Sequence, residues 1–147
     1  MNTWRDERCG YRDEKLSERH GTWGFDCPAV DLDFVLVEYN RGKPCALIEY
    51  KHKNTAEPNR NHPSYKALVA LANGCKIPCL IAIYDPDDWT FKVIPLNSFA
   101  VKYYAGCEKE VLTEQRWVKS LLLLRKRALV AEDEEVLKQL NGTVATV

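Results

Sequence analysis

Residues 30–51 read VDLDFVLVEYNRGKPCALIEYK, and this stretch decides the fold. Two runs rich in apolar and β-branched residues, 30–39 and 45–51, predict two β-strands. The polar segment 40–44 between them holds Gly42 and Pro44 and predicts a turn. The stretch is therefore predicted to form a hairpin, with acidic residues on its first strand and a Glu-x-Lys sequence on its second. Because residues 34–37 are apolar without a break, the first strand is expected to be covered on both faces at the centre of a sheet.

The register of this hairpin decides which charged residues meet. Residues of the same parity share a face of a strand, so Asp31 lies with Asp33 and Glu49 lies with Lys51. A three-residue loop that closes with a bulge at Gly42 places Asp33 opposite Glu49 and Asp31 opposite Lys51. A loop of two or four residues puts the two pairs on opposite faces unless a further bulge corrects the register.

The rest of the chain predicts helices on both sides of the hairpin. Before it, residues 4–20 are expected to form a helix, and residues 21–24 are expected to end it. After it, a helix is expected to start at Pro63 and to end just before Gly74, followed by strands over 77–84 and 89–96. A short helix capped by Asn97 or Ser98 is expected to run through Tyr104. Two further helices are expected, from Thr113 through Ala128 and over 132–140. A crossover helix between the second and third strands favours a mixed sheet. The predicted fold class is α/β, with a mixed four- or five-stranded sheet flanked by helices in one domain over 1–147.

Composition limits the function and the compartment. The 147 residues carry no formal net charge, which argues against binding nucleic acid through bulk charge but allows a local basic patch. The charged start of the chain does not resemble a signal peptide, and the longest apolar run, 121–124, is too short to cross a membrane. The six cysteines are therefore expected to be reduced thiols in the cytoplasm. A structural zinc site at Cys75 and Cys79 is the least favoured alternative, because zinc sites need more ligands than this pair.

Converging carboxylates and a lysine suggest phosphodiester chemistry. Carboxylate and carbonyl oxygens are the ligands that Mg²⁺ or Mn²⁺ prefers. Such a cation can acidify a bound water and neutralise charge on a phosphate. A lysine two residues beyond the glutamate lies on the same face and can orient the water and offset negative charge.

The arrangement of Asp33 with Glu49-Tyr50-Lys51 after a hairpin resembles the PD-(D/E)XK nuclease superfamily, which has the restriction-endonuclease-like fold. The order of elements over about 14–97 is also similar, with 98–141 as additional C-terminal helices. The resemblance implies that Asp33 or Asp31 is the metal-binding aspartate, that Glu49 is the second carboxylate, and that Lys51 is the catalytic lysine. The sequence Pro28-Ala29-Val30-Asp31 stands where the family has Pro-Asp, which leaves the choice between the two aspartates open.

The resemblance implies further site residues. Glu18 matches a metal-associated glutamate on the first helix, and the backbone carbonyl of Tyr50 is a further metal ligand. Tyr65 and Lys66 stand where some branches carry an active-site residue on the following helix. A second group of basic residues is expected to contact phosphates: Lys53, Arg60 and Lys66.

The leading hypothesis is a Mg²⁺-dependent nuclease that cleaves DNA with a metal-activated water. The alternative is a nuclease-fold module that binds nucleic acid or a protein partner without cleaving. The resemblance also implies that the protein can work as a homo-oligomer or within a larger assembly.

Overall fold

The computed structural model describes residues 14–23 and 32–145; for 17, 131–139 and 141–145 it describes the backbone alone. Two compact units, Met1–Asp31 and Leu32–Val147, are considered separately. In the first, the described residues form one helix, α1 (Glu14–Trp23). In the second, the elements in chain order are β1 (Phe34–Glu38), β2 (Lys43–His52), α2 (Pro63–Cys75), β3 (Cys79–Asp85), β4 (Thr90–Pro95), α3 (Ser98–Tyr104) and α4 (Glu114–Ala145). No described helix is both long and apolar enough to cross a membrane.

The described strands form one mixed sheet in the order β1-β2-β3-β4. The β1–β2 and β3–β4 pairs are antiparallel, while β2 and β3 are parallel because α2 carries the chain back between them. The predicted α/β class with a mixed sheet and flanking helices is thus confirmed. The predicted central place of the first strand is wrong, because β1 pairs with β2 alone among the described strands and Phe34, Val35 and Val37 are exposed. An unbroken apolar run does not by itself distinguish a central strand from an edge strand.

The two faces of the sheet bury separate cores. One core lies under α2, and its buried residues are Leu47, Tyr65, Leu68, Ala72, Ile77, Cys79, Ile81 and Ile94. The other lies under α3 and α4, and its buried residues are Ala46, Ile48, Leu80, Ala82, Phe91, Val93, Ala100, Tyr104, Leu112, Trp117 and Leu124. Consecutive residues of β2 and β3 enter opposite cores, which explains why both strands are apolar without alternation.

The hairpin turn differs from the predicted three-residue loop. Glu38 pairs with Lys43 around a four-residue connection, and Gly42 adopts a φ of +61°. The register then shifts between Leu36 and Val37, because Ala46 and Pro44 are their partners and Cys45 is an extra residue. Pro44 has no N–H to donate to the ladder, so the bulge falls where a ladder bond is missing in any case. The register therefore follows the alternative in which a bulge corrects a four-residue loop.

Three predicted helix boundaries are wrong. Helix α1 continues through 21–23, because one glycine within the helix weakens it without ending it. Helix α2 passes Gly74 and ends at Lys76, which adopts the left-handed conformation (φ 57°, ψ 43°) and donates its N–H to Ala72 and Asn73. The last two predicted helices are one helix, α4, because the residues between Ala128 and Glu132 include no proline, glycine or capping residue.

Candidate active site

The hairpin register brings Asp33, which directly precedes β1, to the Glu-x-Lys sequence of β2. Phe34 pairs with Ile48, so one further step of the same register sets Asp33 opposite Glu49. Glu49 and Lys51 share the face of β2 that lies under α2, and the Lys51 Nζ lies 3.2 Å from the Glu49 Oε1. This pair is partly shielded, since the Glu49 and Lys51 side chains are 15% and 32% exposed.

The Glu49 carboxyl is the electrostatic centre of the site. Burial is the largest of the influences that raise its pKa, and the nearby Asp33 carboxylate raises it further by charge repulsion. The hydrogen bond with Lys51 opposes this shift without cancelling it. The partly shielded Glu49 carboxyl and the exposed Asp33 carboxylate thus lie near one lysine, which leaves an excess of negative charge that a cation would relieve.

Lys51 remains a charged ammonium in this setting. Burial is the largest single influence on its pKa and lowers it, but other contacts outweigh burial and the net pKa is raised. These are the hydrogen bond with Glu49 and charge interactions with Tyr65, Glu49 and Asp33. Lys51 can therefore supply a fixed positive charge beside the carboxylates.

Tyr65 joins the site from α2. Its side chain is 8% exposed, and burial is the main reason that the pKa of its hydroxyl is raised. Glu49 and Asp33 raise this pKa further, while Lys51 lowers it through charge and a hydrogen bond. Tyr65 is buried on the sheet face that carries Glu49 and Lys51, and its hydroxyl interacts electrostatically with the other polar groups. Asp33, Glu49, Lys51 and Tyr65 are called the acid–lysine cluster below. In the sequence, Tyr65 stands out because it is the one residue with a hydroxyl group on a helix face that is otherwise aliphatic.

The start of α2 explains how Tyr65 reaches the cluster. Pro63 occupies the first turn, and the extended His62 caps the helix, since its Nδ1 accepts a hydrogen bond from the Ser64 N–H. Tyr65 then lies one turn before Leu68, which is buried against the same sheet face. The helix is thus fixed at its first turn, and its packing carries the phenol to β2.

The remaining predicted site residues have different positions. Glu18 is exposed on α1, in the first compact unit, and its role in the site stays a prediction. Asp31 lies outside the described residues. The Tyr50 side chain lies on the opposite face of β2, against Trp117, so only its backbone carbonyl is available as a ligand.

The predicted phosphate-contacting residues are not equivalent. The Lys53 Nζ lies 2.9 Å from the carboxylates of both Asp85 and Asp87, and these contacts offset its attraction for phosphate. Arg60 and Lys66 are exposed, in the β2–α2 loop and on α2. These two residues are therefore better placed than Lys53 to meet a polyanion.

The zinc alternative is not supported by the two cysteines. Cys75 is exposed at the end of α2, whereas Cys79 is buried at the start of β3. Burial, with a further contribution from Glu49, raises the pKa of the Cys79 thiol to about 11, and zinc binds the thiolate. Among the described residues, no group of three or more His, Cys, Asp or Glu side chains could hold a metal ion.

Comparisons with models of known protein families, with curated proteins and with solved structures found no match. The chemistry of the acid–lysine cluster is therefore the feature of this chain that indicates a function.

Proposed function

We propose that the protein is a metal-dependent nuclease that hydrolyses phosphodiester bonds of DNA, and that it belongs to the PD-(D/E)XK superfamily with a restriction-endonuclease-like core. The observation that carries this proposal is the 3.2 Å contact between Lys51 and Glu49 on the sheet face that Asp33 also reaches. A salt bridge that only stabilises the fold does not need a second carboxylate. Here the Asp33 carboxylate raises the pKa of Glu49, and the repulsion between the two carboxylates opposes folding.

The donor set fits Mg²⁺ or Mn²⁺. Asp33 and Glu49 would supply carboxylate oxygens, and the Tyr50 backbone would supply a carbonyl oxygen, all of them hard ligands. The mutual repulsion of the two carboxylates supports this fit, because a divalent cation removes it. When bound, the cation supplies Lewis-acid activation of water and charge neutralisation at the phosphate.

The chain's own residues would supply orientation and fixed charge. The Lys51 ammonium stays protonated and can hold a water or a phosphate oxygen beside the carboxylates. The Tyr65 hydroxyl can donate a second hydrogen bond from the α2 side. Arg60 and Lys66 can contact neighbouring phosphates, so that the scissile bond stays near the cluster.

The compartment and the oligomeric state of the protein are part of the same proposal. The described cysteines Cys45, Cys75, Cys79 and Cys107 are free thiols, which fits a reducing compartment, and we place the enzyme in the cytoplasm. A homo-oligomer or a larger assembly remains part of the proposal, because the resemblance to the superfamily implies it.

Three single variants test the proposal directly. Asp33→Asn, Glu49→Gln and Lys51→Met each remove one charge with little change in volume. Each is expected to lower Mg²⁺-dependent cleavage of labelled DNA by about a hundredfold or more. Circular dichroism and thermal unfolding would show that the variants remain folded, and Glu57→Gln, at an exposed loop carboxylate, is the matched control.

The outcomes separate the two hypotheses. Cleavage that survives EDTA or the Glu49→Gln substitution would contradict the nuclease proposal. DNA binding without turnover in Mg²⁺ or Mn²⁺ would support the alternative of a non-cleaving binding module.

A further inference from the structure

A row of aromatic side chains crosses the sheet on the face opposite the acid–lysine cluster. Phe34 meets Tyr50 edge to face with ring centroids 5.0 Å apart, and Tyr50 meets Tyr84 at 6.4 Å. Tyr84 contacts His52 at 5.5 Å and lies nearly parallel to Trp89, with ring centroids 6.3 Å apart and planes 13° apart. These five residues, called the aromatic row, connect β1, β2, β3 and the β3–β4 turn.

The middle of the row packs against the core under α4, and its two ends are exposed. Tyr50 is backed by the buried Trp117, whose ring centroid lies 6.0 Å away. At the two ends of the row, Phe34 is 43% exposed and Trp89 is 49% exposed. Large aromatic side chains that are held in place and nearly half exposed are poorly explained as core, and they offer apolar surface to a ligand.

Trp89 is held in a conformation that disfavours its side chain. Its φ is +52°, in the left-handed region that non-glycine residues rarely adopt. The adjacent turn is fixed by the Asp88 carboxylate, which accepts hydrogen bonds from both the N–H and the hydroxyl of Thr90. A bulky residue kept at a strained and exposed position suggests selection for function rather than for stability.

The row and the cluster lie at the same end of the strands. The C-terminal ends of β2 and β3 and the N-terminal ends of β1 and β4 meet there. Asp33 directly precedes Phe34, and Tyr50 lies between Glu49 and Lys51, so the two sets alternate along the same strands. A flexible chain that passes over this end of the sheet meets aromatic rings on one face and the acid–lysine cluster on the other.

The charges around Trp89 limit which part of a nucleic acid can lie there. Asp85 ends β3, Asp87 and Asp88 lie in the β3–β4 turn, and Lys53 neutralises part of their charge through its two contacts of 2.9 Å. The remaining negative charge disfavours a phosphate against the indole. A neutral base that presents its π-face fits the position better.

We propose that the aromatic row stacks unpaired bases, so that single-stranded or locally unpaired DNA is the preferred substrate of the site. This inference rests on the proposed nuclease function and specifies its substrate class. In a duplex the base faces are covered by neighbouring base pairs, whereas every base of a single strand exposes a face that can stack.

The test compares ring removal on single-stranded and duplex DNA. Trp89→Gly removes the indole and relieves the positive φ, so the variant is expected to remain folded. Phe34→Leu keeps an apolar side chain without a ring. Fluorescence anisotropy with a labelled single strand in EDTA would measure binding in the absence of turnover, with a hairpin duplex of the same sequence for comparison. Val101→Ala, an exposed apolar change on α3, is the control.

Each ring variant is expected to weaken single-strand binding about fivefold or more and to leave duplex binding nearly unchanged. Unchanged single-strand binding in both variants would overturn the inference, as would capture of an arginine-rich peptide by the row in place of DNA. The proposed function fails separately: it is lost if no DNA is cleaved in Mg²⁺ or if cleavage does not need Glu49. Binding of single strands that depends on the rings would support the proposed role of the aromatic row, whether or not the protein cleaves DNA.

Discussion

The Asp33 carboxylate, directly before β1, acts on Glu49 of β2 and raises the pKa of its carboxyl, although Lys51 lies only 3.2 Å from Glu49. Two acids near one base are a net electrostatic cost in the metal-free protein. This relationship makes the state of Glu49 measurable in the stability of the protein, in its metal binding and in its activity.

The stability of the metal-free protein should record the titration of Glu49. Its pKa is raised above the ordinary value of 4.5, so the folded chain holds a proton that the unfolded chain has lost. Glu49 therefore stabilises the fold most below about pH 4.5, and its contribution falls as the pH rises through the folded pKa. The free energy of unfolding of the wild type minus that of Glu49→Gln is expected to decline from acid to neutral pH, as measured by urea titration. A difference that does not vary with pH would contradict the raised pKa.

Bound metal should reverse the pH dependence that Glu49 gives to the stability of the protein. Mn²⁺ requires both carboxylates ionised, so its affinity is expected to fall as the pH drops through the raised pKa of Glu49. Calorimetric titration of Mn²⁺ at a series of pH values would measure this dependence. Saturating Mn²⁺ at neutral pH should raise the melting temperature of the wild type more than that of Asp33→Asn. Equal stabilisation of the two proteins would place the bound metal elsewhere.

The Tyr65 hydroxyl is expected to contribute to activity more than to stability. Tyr65→Phe removes one oxygen from a buried ring and keeps its packing against the α2 core. Loss of a hydrogen bond to the reacting groups should lower the cleavage rate about tenfold. The comparison is single-turnover cleavage against the thermal unfolding midpoint of the same protein. A variant with full activity and a lower midpoint would make Tyr65 purely structural.

Asn97 is expected to be a strong stabiliser of the fold. Its Oδ1 accepts from the N–H groups of Cys79 and Ala100, and its Nδ2 donates to the Ile77 carbonyl and to Asn73. Asn97→Ala would leave several buried backbone groups without partners and cost about 2–4 kcal/mol of unfolding free energy. Chemical denaturation measures this loss, with the exposed Asn54→Ala as a control expected within about 0.5 kcal/mol of the wild type.

Lys76 offers a stabilising substitution. Its positive φ of 57° ends α2, a position where glycine avoids the Cβ penalty. Lys76→Gly should raise the unfolding free energy by about 0.5–1 kcal/mol, measured by chemical denaturation. Lys76→Ala removes the same charge and keeps the strain, so a similar gain in both variants would attribute the effect to charge rather than to conformation.

The sequence by itself determined the element types and the candidate chemistry. The spacing of apolar residues and the punctuation by Pro63, Asn97 and Thr113 predicted most of the helices and strands. The crossover helix predicted the mixed sheet, and strand parity put Glu49 and Lys51 on one face. These inferences succeeded because periodicity and capping are local properties of the chain.

Only the tertiary structure decided which residues meet. The Cys45 bulge sets Asp33 opposite Glu49 with a four-residue turn in place of the predicted three-residue loop, and strand pairing places β1 at the edge of the described sheet. The packing of α2 buries Tyr65 on the face that carries Glu49 and Lys51, and the β3–β4 turn sets Trp89 against Tyr84. Register, strand order and helix docking depend on contacts between segments that are distant in sequence, so local patterns could propose the partners but could not choose between the possible arrangements.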